Sequence, residues 1–364
     1  MSTPGQADPY EALLVLSFGG PDQPADVLPF LENVTRGRAV ERHRLHQVAE
    51  HYFAVGGRSP INDQNRALVA ALRRELDRVG VSLPVYWGNR NWHPQLADEL
   101  ARMAADGVRR AAVFVTSAYS SYSGCRQYRE DLAAAATSVG PSAPALDRLR
   151  HCFDHPGFIR ANADGVAGAL GDLPAGISAA ARVLFVTHSI PVTMAESAGP
   201  HGDAYVQQHR AVAAAVVADL ERRTGTRHES DLVYCSRSGS PLVPWLEPDV
   251  NDHLKALPAD VPGVVLAPIG FVSDHMEVGY DLDIEALGTA RELGLPAARA
   301  ATAGTHPAFV AAIVDLLLER AAAERGDPVV RATVGPPGPS HDRCPAGCCP
   351  NPIGPRAALG GASA

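Results

Sequence analysis

Three acidic residues stand four positions apart in the segment 273–285, SDHMEVGYDLDIE. On a helix, Glu277, Asp281 and Glu285 would lie one above another on a single face, where like charges repel by a few tenths of a kcal/mol for each pair. Residues 278–285 contain no lysine or arginine that would relieve this repulsion. The row therefore predicts a helix face that handles a cation, and the ordinary alternative is a solvated helix face.

A histidine, His188, ends the apolar run RVLFVTHSI (182–190) and stands shortly before Pro191. A single histidine in such a place is most often half-buried and bonded to a backbone carbonyl. Here a second apolar run, GVVLAPIGF (263–271), leads into Glu277, so an imidazole and a carboxylate are expected to face one cleft. Such a pair can bind a divalent ion or exchange protons with a nitrogen base.

The elements that position these residues are short apolar runs that alternate with Ala-rich helical stretches. The runs lie at 12–20, 83–89, 111–119, 182–190, 231–236 and 263–271. This alternation predicts an α/β fold of parallel sheets covered on both faces, in which ligands bind at the carboxyl ends of the strands. Because the runs divide three and three, we expect an N-terminal lobe (10–150), a similar C-terminal lobe (151–327), and a linker with a cysteine-bearing tail (328–364).

The composition excludes several classes of partner. A net charge of −8 and a pI near 5.9 argue against nucleic acid or an anionic membrane as the main partner. No stretch approaches the ~20 apolar residues of a membrane-spanning helix, and MSTPGQADPYE is unlike a signal peptide. The sequence therefore predicts a soluble, cytoplasmic protein.

The six cysteines do not indicate a secreted disulfide scaffold in a chain of 364 residues. Three of them, Cys344, Cys348 and Cys349, lie within RCPAGCCP on a Pro- and Gly-rich tail. Three thiols are too few for a four-thiolate metal site. Cys235, in the run DLVYCS, is predicted to be a small core residue.

Seven motifs, taken in order from about residue 12 to about residue 320, resemble the ferrochelatases, which insert ferrous iron into a porphyrin during heme synthesis. They are LLVLSFGGPD, FLENVTRGR, GGRSPIN, SAYSSYS, THSIP, PWLEPDV and GFVSDHMEVGYDLD. The resemblance implies the chelatase fold, with two Rossmann-like lobes and a porphyrin cleft between them. It matches His188 to the active-site histidine of the family, Glu277 to its partner across the macrocycle, and Asp281 and Glu285 to a relay for metal or protons. Which of His188 and Glu277 meets metal and which meets protons stays open.

Residue types also nominate a porphyrin site. The apolar groups suited to stacking on a macrocycle are Phe18, Tyr119, Tyr122, Trp245 and Met276, for which core filling is the alternative. The groups suited to holding propionates are Arg36, Arg38, Arg58, Ser59 and Tyr128. Some relatives carry a tyrosine where Phe18 stands, and that tyrosine can ligate product iron; Phe18 cannot.

The resemblance extends to the cysteines. Some ferrochelatases carry a [2Fe–2S] cluster bound by three C-terminal cysteines and one internal cysteine that precedes a phenylalanine. Cys152, in RHCFDHPGF, fits that description and joins Cys344, Cys348 and Cys349 as the expected ligand set. Structural zinc is the alternative. Because two adjacent cysteines are an awkward pair of ligands, the fourth ligand stays open, and Cys125 is held in reserve.

The expected substrates are Fe²⁺ and coproporphyrin III, because the composition and the tail resemble those of actinobacterial ferrochelatases. Protoporphyrin IX is the close alternative; a cobalt or nickel chelatase and a heme carrier are more distant ones. A carrier would need no acidic row and would favour an axial ligand at Phe18, which speaks against it. The next enzyme of the heme pathway is a further, transient partner that the resemblance implies.

Overall fold

Two parallel β-sheets of four strands each form the centre of the protein. The computed structural model describes residues 5–37, 40–238, 242–335 and 338–361. The strands are β1 (Ala12–Ser17), β2 (Val85–Asn89), β3 (Arg110–Val115), β4 (Ala145–Arg148), β5 (Arg182–His188), β6 (Ser230–Cys235), β7 (Val264–Ala267) and β8 (Ala297–Arg299). The strand orders are β2-β1-β3-β4 and β6-β5-β7-β8, so the second sheet repeats the topology of the first. The α/β prediction with two similar sheets is confirmed.

Helices connect the strands and cover the sheets. They are α1 (Val27–Val34), α2 (Arg42–Ala54), α3 (Ile61–Arg78), α4 (Leu96–Ala105), α5 (Gln127–Val139), α6 (Pro156–Asp172), α7 (Val192–Glu196), α8 (Ala204–Thr224), α9 (Val250–Ala256), α10 (Leu287–Glu292) and α11 (Pro307–Arg325). Two further segments, Tyr122–Arg126 and Val278–Ala286, are π-helical. None of the helices among the described residues is long and apolar enough to cross a membrane.

The central strands are apolar on both faces because both faces are buried. In β1, Leu13 and Val15 belong to a core that also receives Val183 and Phe185 from β5. The intervening residues of each strand point to separate outer cores, one for each sheet. This alternation follows from the two-residue period of a strand. The two sheets therefore share one inner core.

Two strands, β4 and β8, were not predicted. Their sequences, ALDR and AAR, contain charged residues and are only four and three residues long. Each lies at the edge of its sheet, where one side of the strand has no neighbouring strand to bury it. Such short, polar edge strands lack the apolar run by which the others were recognised.

The last helix of the body, α11, packs against α3 and α6 together. Phe309, which is fully buried, lies 5.6 Å from Phe158 of α6 and 6.1 Å from Phe114 of β3, measured between ring centroids. At its other end, Arg325 donates hydrogen bonds to the carbonyls of Gln6 and Asp8. The helix thus joins the start of the chain to the middle.

The tail that follows α11 lies against the body without forming a helix in its described part. Arg150, whose side chain is 1% exposed, donates to the carbonyl oxygen of Ala332 at 2.7 Å. Asp154 accepts from the backbone N–H of Ser340 at 3.0 Å. Buried ionic groups of the body therefore hold the tail independently of its cysteines.

Candidate active site and cysteine site

His188 and Glu277 come together at the carboxyl end of β5. Nε2 of His188 lies 3.8 Å from Oε1 of Glu277, and the other carboxylate oxygen lies 3.9 Å from Nδ1 of His275. The side chains of His188 and Glu277 are 30% and 37% exposed, so the pair remains open to a ligand. β1 and β5 hold the same position in their sheets. The chain order reverses between β1 and β3 in the first sheet and between β5 and β7 in the second, and open parallel sheets bind ligands at such a reversal.

The charges of this pair are set by their proximity. Burial alone would lower the pKa of His188, but the Glu277 carboxylate outweighs it, and the pKa lies above its ordinary value. Burial also opposes ionisation of Glu277, yet the neighbouring His188 and His275 lower the pKa of that carboxyl to about 2. The two shifts together favour an imidazolium beside a carboxylate.

Two members of the acidic row, Asp281 and Glu285, lie on the π-helical segment Val278–Ala286 rather than on an α-helix, and Glu277 directly precedes that segment. It leads from the half-exposed Glu277, past the buried Asp281, to the exposed Glu285. Burial and the charge of Glu277 raise the pKa of Asp281 to about 7, while Ser236 donates a hydrogen bond to its carboxylate. Asp281 can therefore take up or release a proton near neutral pH.

A buried polar chain, which the sequence analysis missed, supports the backbone of His188. The hydroxyl of Tyr205 donates to the His188 carbonyl at 2.8 Å and lies 2.9 Å from Oγ1 of Thr187. Nε2 of His209 lies 2.8 Å from the same Oγ1, and its ring stacks on Tyr119 at 3.6 Å. The sequence signal that could have revealed this chain was the presence of Tyr205 and His209 on α8, the helix that follows β5 and its last residue, His188.

The residues predicted to form the porphyrin wall differ in their exposure. Phe18, 37% exposed, follows β1, packs against Phe30 at 6.3 Å and lies under the guanidinium of Arg90. Met276 is buried in the small cluster that contains Phe30. Tyr119 lies in the inner core, where its hydroxyl donates to the carbonyl of Ile269, so its assignment to the wall was wrong. The Tyr119 side chain points inward, where it packs against Phe153 and Phe158 of the inner core.

The remaining aromatic candidates lie near the carboxyl ends of β3 and β5. Tyr122 is 7% exposed and donates to Glu130 at 3.3 Å. Tyr128 is 5% exposed and has the guanidinium of Arg90 4.7 Å from its ring centroid. Trp245 is half-buried and forms an isolated β-bridge with Pro191, close to His188 in the chain.

The candidate propionate groups differ in exposure. Arg36 and Arg58 are exposed, and Arg58 forms an ion pair with Asp63. Ser59 is 2% exposed, and its backbone N–H donates to the carbonyl of Pro21. Arg38 lies outside the described residues.

A cavity of about 260 Å³ adjoins the histidine–carboxylate pair. It is bordered by Val55 and Arg58 on one side and by His275, Met276 and Gly279 on the other. The ring of His51 on α2 stacks on Tyr280, the residue after Gly279, at 4.0 Å. The two halves of the protein therefore meet across this cavity.

The three tail cysteines are joined by Cys125, not by Cys152. All four thiols are buried together, with Sγ–Sγ distances of 4.0 Å for Cys125 and Cys344 and 3.9 Å for Cys348 and Cys349. Cys152 belongs to the inner core, where burial raises the pKa of its thiol to about 12. The expectation for Cys152 was wrong because the residue before Phe153 faces the core, whereas the π-helical turn after β3 presents Cys125 to the tail. Cys235 is a core residue, as predicted.

A backbone feature resolves the difficulty of adjacent ligands. Cys349 has φ +51°, a left-handed conformation that is uncommon for a residue with a side chain. This turn brings its sulfur beside that of Cys348, and the N–H of Gly199 donates to it at 3.1 Å. A distance of 3.9–4.0 Å is far too long for a disulfide but is close to the ~3.8 Å between two thiolates that share a tetrahedral metal with bonds of about 2.3 Å. The cysteines therefore fit a metal centre. Among the described residues, the group whose ligand atoms all lie within 4.8 Å of one another is His341, Cys344 and Cys348, which is therefore a competing ligand set.

Two four-stranded parallel sheets with the site at their strand ends define the chelatase fold. The solved sirohydrochlorin chelatase SirB from Bacillus subtilis subspecies spizizenii, in complex with cobalt, shares this fold with a TM-score of 0.50 and 14% identity, over 86% of this chain and 97% of that chain. The family model for ferrochelatase matches residues 10–321, and this chain belongs to the ferrochelatase family. Its relatives include the coproporphyrin III ferrochelatases of Streptomyces griseus, 58% identical over 94% of both chains, and of Streptomyces coelicolor, 57% identical over 98% of this chain and 97% of the relative.

Proposed function

We propose that this protein inserts Fe²⁺ into coproporphyrin III to give the iron porphyrin and two protons. The observation that carries this proposal is the 3.8 Å approach of His188 and Glu277 in a chain that is 58% identical to a coproporphyrin III ferrochelatase. The reaction needs an acceptor for the two pyrrole N–H protons and a transient, weakly held site for the metal. A histidine and a carboxylate supply both, since imidazole and carboxylate each bind Fe²⁺ without enclosing it.

The charge state divides the work between the two residues. Glu277 has a pKa lowered to about 2, so it is a weak base that stays anionic and attracts the incoming cation. His188 has a raised pKa, so it is the stronger base of the pair. It must give up its proton before it can accept one from a pyrrole nitrogen.

Asp281 and Glu285 provide the route for ions between the pair and the surface. With its pKa raised to about 7, Asp281 is present in both protonation states at neutral pH. It can accept a proton released at the pair and pass it toward the exposed Glu285. The same carboxylates, when ionised, attract Fe²⁺ into the site.

Coproporphyrin III differs from protoporphyrin IX by two additional propionates. Exposed arginines such as Arg36 and Arg58 can pair with these groups. Two exposed ion pairs of about 0.5–1 kcal/mol each correspond to a roughly five- to thirtyfold preference in kcat/KM.

The test is an anaerobic insertion assay with both porphyrins and with Fe²⁺, Co²⁺ and Ni²⁺, followed by loss of the free-base absorption bands. We expect the highest kcat/KM for Fe²⁺ with coproporphyrin III. Equal values for the two porphyrins would contradict the substrate assignment. Tight binding of the iron porphyrin without turnover would indicate a carrier instead.

The cysteine site supports a [2Fe–2S] cluster held by Cys125, Cys344, Cys348 and Cys349, for which structural zinc is the alternative. Bound there, the cluster would supply a covalent link between the π-helical turn after β3 and the tail. Metal analysis of aerobically purified protein should give about two irons and two acid-labile sulfides per chain. A result of one zinc and no sulfide per chain would show that the site holds zinc and not a cluster. That result would not bear on the proposed insertion activity.

A further inference from the structure

Arg148, at the end of β4, lies against the cysteine site. Its guanidinium donates to Sγ of Cys344 at 3.7 Å and lies 3.4 Å from Nε2 of His151. The residue is only 4% exposed. Burial lowers the pKa of His151 well below its ordinary value, so His151 is neutral and the guanidinium is the charged member of this group.

Among the described residues, no carboxylate pairs with the positive charge of Arg148. Within the ranges that the structure describes, its polar contacts are the Cys344 sulfur and the His151 ring, and, against the effect of burial, the thiol groups of Cys125, Cys344 and Cys348 raise its pKa. A buried, uncompensated ion is costly by several kcal/mol, so stable proteins pair such ions. Two other buried arginines of this region have oxygen partners: Arg150 pairs with Asp154 and Glu319, and Arg129 donates to the carbonyl of Leu359.

We propose that Arg148 is the counter-ion of an anionic four-thiolate centre and that it raises the reduction potential of the cluster bound there. Four thiolates around a [2Fe–2S] core carry a net charge of −2, which the guanidinium offsets in part. A divalent ion held by His341, Cys344 and Cys348 would be neutral overall and would leave Arg148 uncompensated. The charge of Arg148 therefore favours the four-cysteine ligand set over the set that includes His341.

The effect on potential follows from charge. Reduction of the cluster by one electron makes the centre more negative, so a fixed positive charge beside it stabilises the reduced form more than the oxidised form. The N–H of Gly199, which donates to Cys349, acts in the same direction. This inference rests on the proposed cluster and assigns it no step in iron insertion.

The test compares variants of the full-length protein in a dithionite titration with redox mediators, followed by visible absorption. Arg148→Met removes the charge, and Arg148→Lys keeps it. The matched control is Arg126→Met, which removes an arginine next to Cys125 in sequence that pairs instead with Glu130. We expect Arg148→Met to lower the equilibrium constant for reduction at least tenfold, or 59 mV for one electron. Arg148→Lys and Arg126→Met should stay close to wild type.

An unchanged potential in Arg148→Met would overturn the proposal. If that variant contains no cluster, retention of iron and sulfide in Arg148→Lys supports the counter-ion, whereas equal loss in both variants overturns it. If the wild-type site holds zinc, the proposal for the potential is refuted. Iron insertion is measured separately on each variant, so a failure of the proposed enzyme activity is distinguished from a failure of this inference.

Discussion

Replacing Glu277 by glutamine is expected to lower the pKa of His188 by roughly one to two units. At the 3.8 Å separation of Nε2 and Oε1, two unit charges interact by about 4 kcal/mol with an effective dielectric constant of about 20. Because the two side chains are 30% and 37% exposed, solvent screening reduces this by roughly half or more. About 1.4–2 kcal/mol remains, and one pKa unit corresponds to 1.36 kcal/mol.

Groups other than Glu277 also affect the pKa of His188, and they are present in both wild type and variant. Asp281 and the carbonyl of Ser189 favour the imidazolium and remain in the variant, whereas the nearby His275 disfavours it. The wild-type pair stabilises the fold fully between the ordinary pKa values of glutamate and histidine. This contribution is lost as the pH rises through the raised pKa of His188 and as it falls to the lowered pKa of Glu277, about 2. Glu277→Gln should therefore reduce stability more at mildly acidic pH than at alkaline pH.

The assay is an NMR titration of the histidine Cε1–H resonances with ¹³C-labelled histidine, in wild type and in Glu277→Gln. His188→Gln identifies the His188 signal, and His253, which pairs with Asp231 away from the site, is the internal control. The titration needs no turnover, so loss of activity in the variant does not obscure the result. An unchanged or higher pKa of His188 in Glu277→Gln would refute the electrostatic reasoning.

His188→Ala should lower kcat for iron insertion at least ~100-fold while porphyrin still binds, as measured by fluorescence quenching, because the variant lacks the imidazole that accepts the pyrrole proton; near-normal turnover would remove His188 from the mechanism. Asp281→Asn combined with Glu285→Gln should raise the KM for Fe²⁺ more than it lowers kcat, since these residues deliver ions, and equal effects on both constants would contradict that role. Cys125→Ser should lose the iron of the cysteine site in metal analysis, whereas Cys152→Ser should keep it and only melt earlier, because its hydroxyl is buried in the core. Retained iron in Cys125→Ser would contradict the ligand set.

The strand ends were predictable because parallel sheets impose a strong pattern on the sequence. Fully buried strands such as β1 and β5 read as continuous apolar runs, and their carboxyl ends must lie at one edge. This is why His188 and the segment before Glu277 were expected in one cleft. The short edge strands β4 and β8 lack such a run, so periodicity could not reveal them.

The direction of a side chain in an irregular segment was not predictable in the same way. Tyr119 and Tyr122 both follow β3, yet Tyr119 enters the inner core. Cys152 and Cys125 are both internal cysteines, and only the π-helical turn, for which no sequence pattern was available, directs Cys125 toward the tail. The resemblance supplied the expected count of four ligands, whereas the packing of the loops placed Cys125 beside the three tail cysteines.

The position of α11 has a consequence for how the chain is made. Leu68 and Leu72 of α3 are buried in the inner core, and α11, which helps to cover them, is synthesised about 250 residues after α3. At about 5–20 residues per second, this apolar face of the nascent chain stays uncovered for roughly 10–50 s. Throughout that interval the first half of the protein presents a surface for chaperones to bind, and it reaches its final packing only after α11 has left the ribosome.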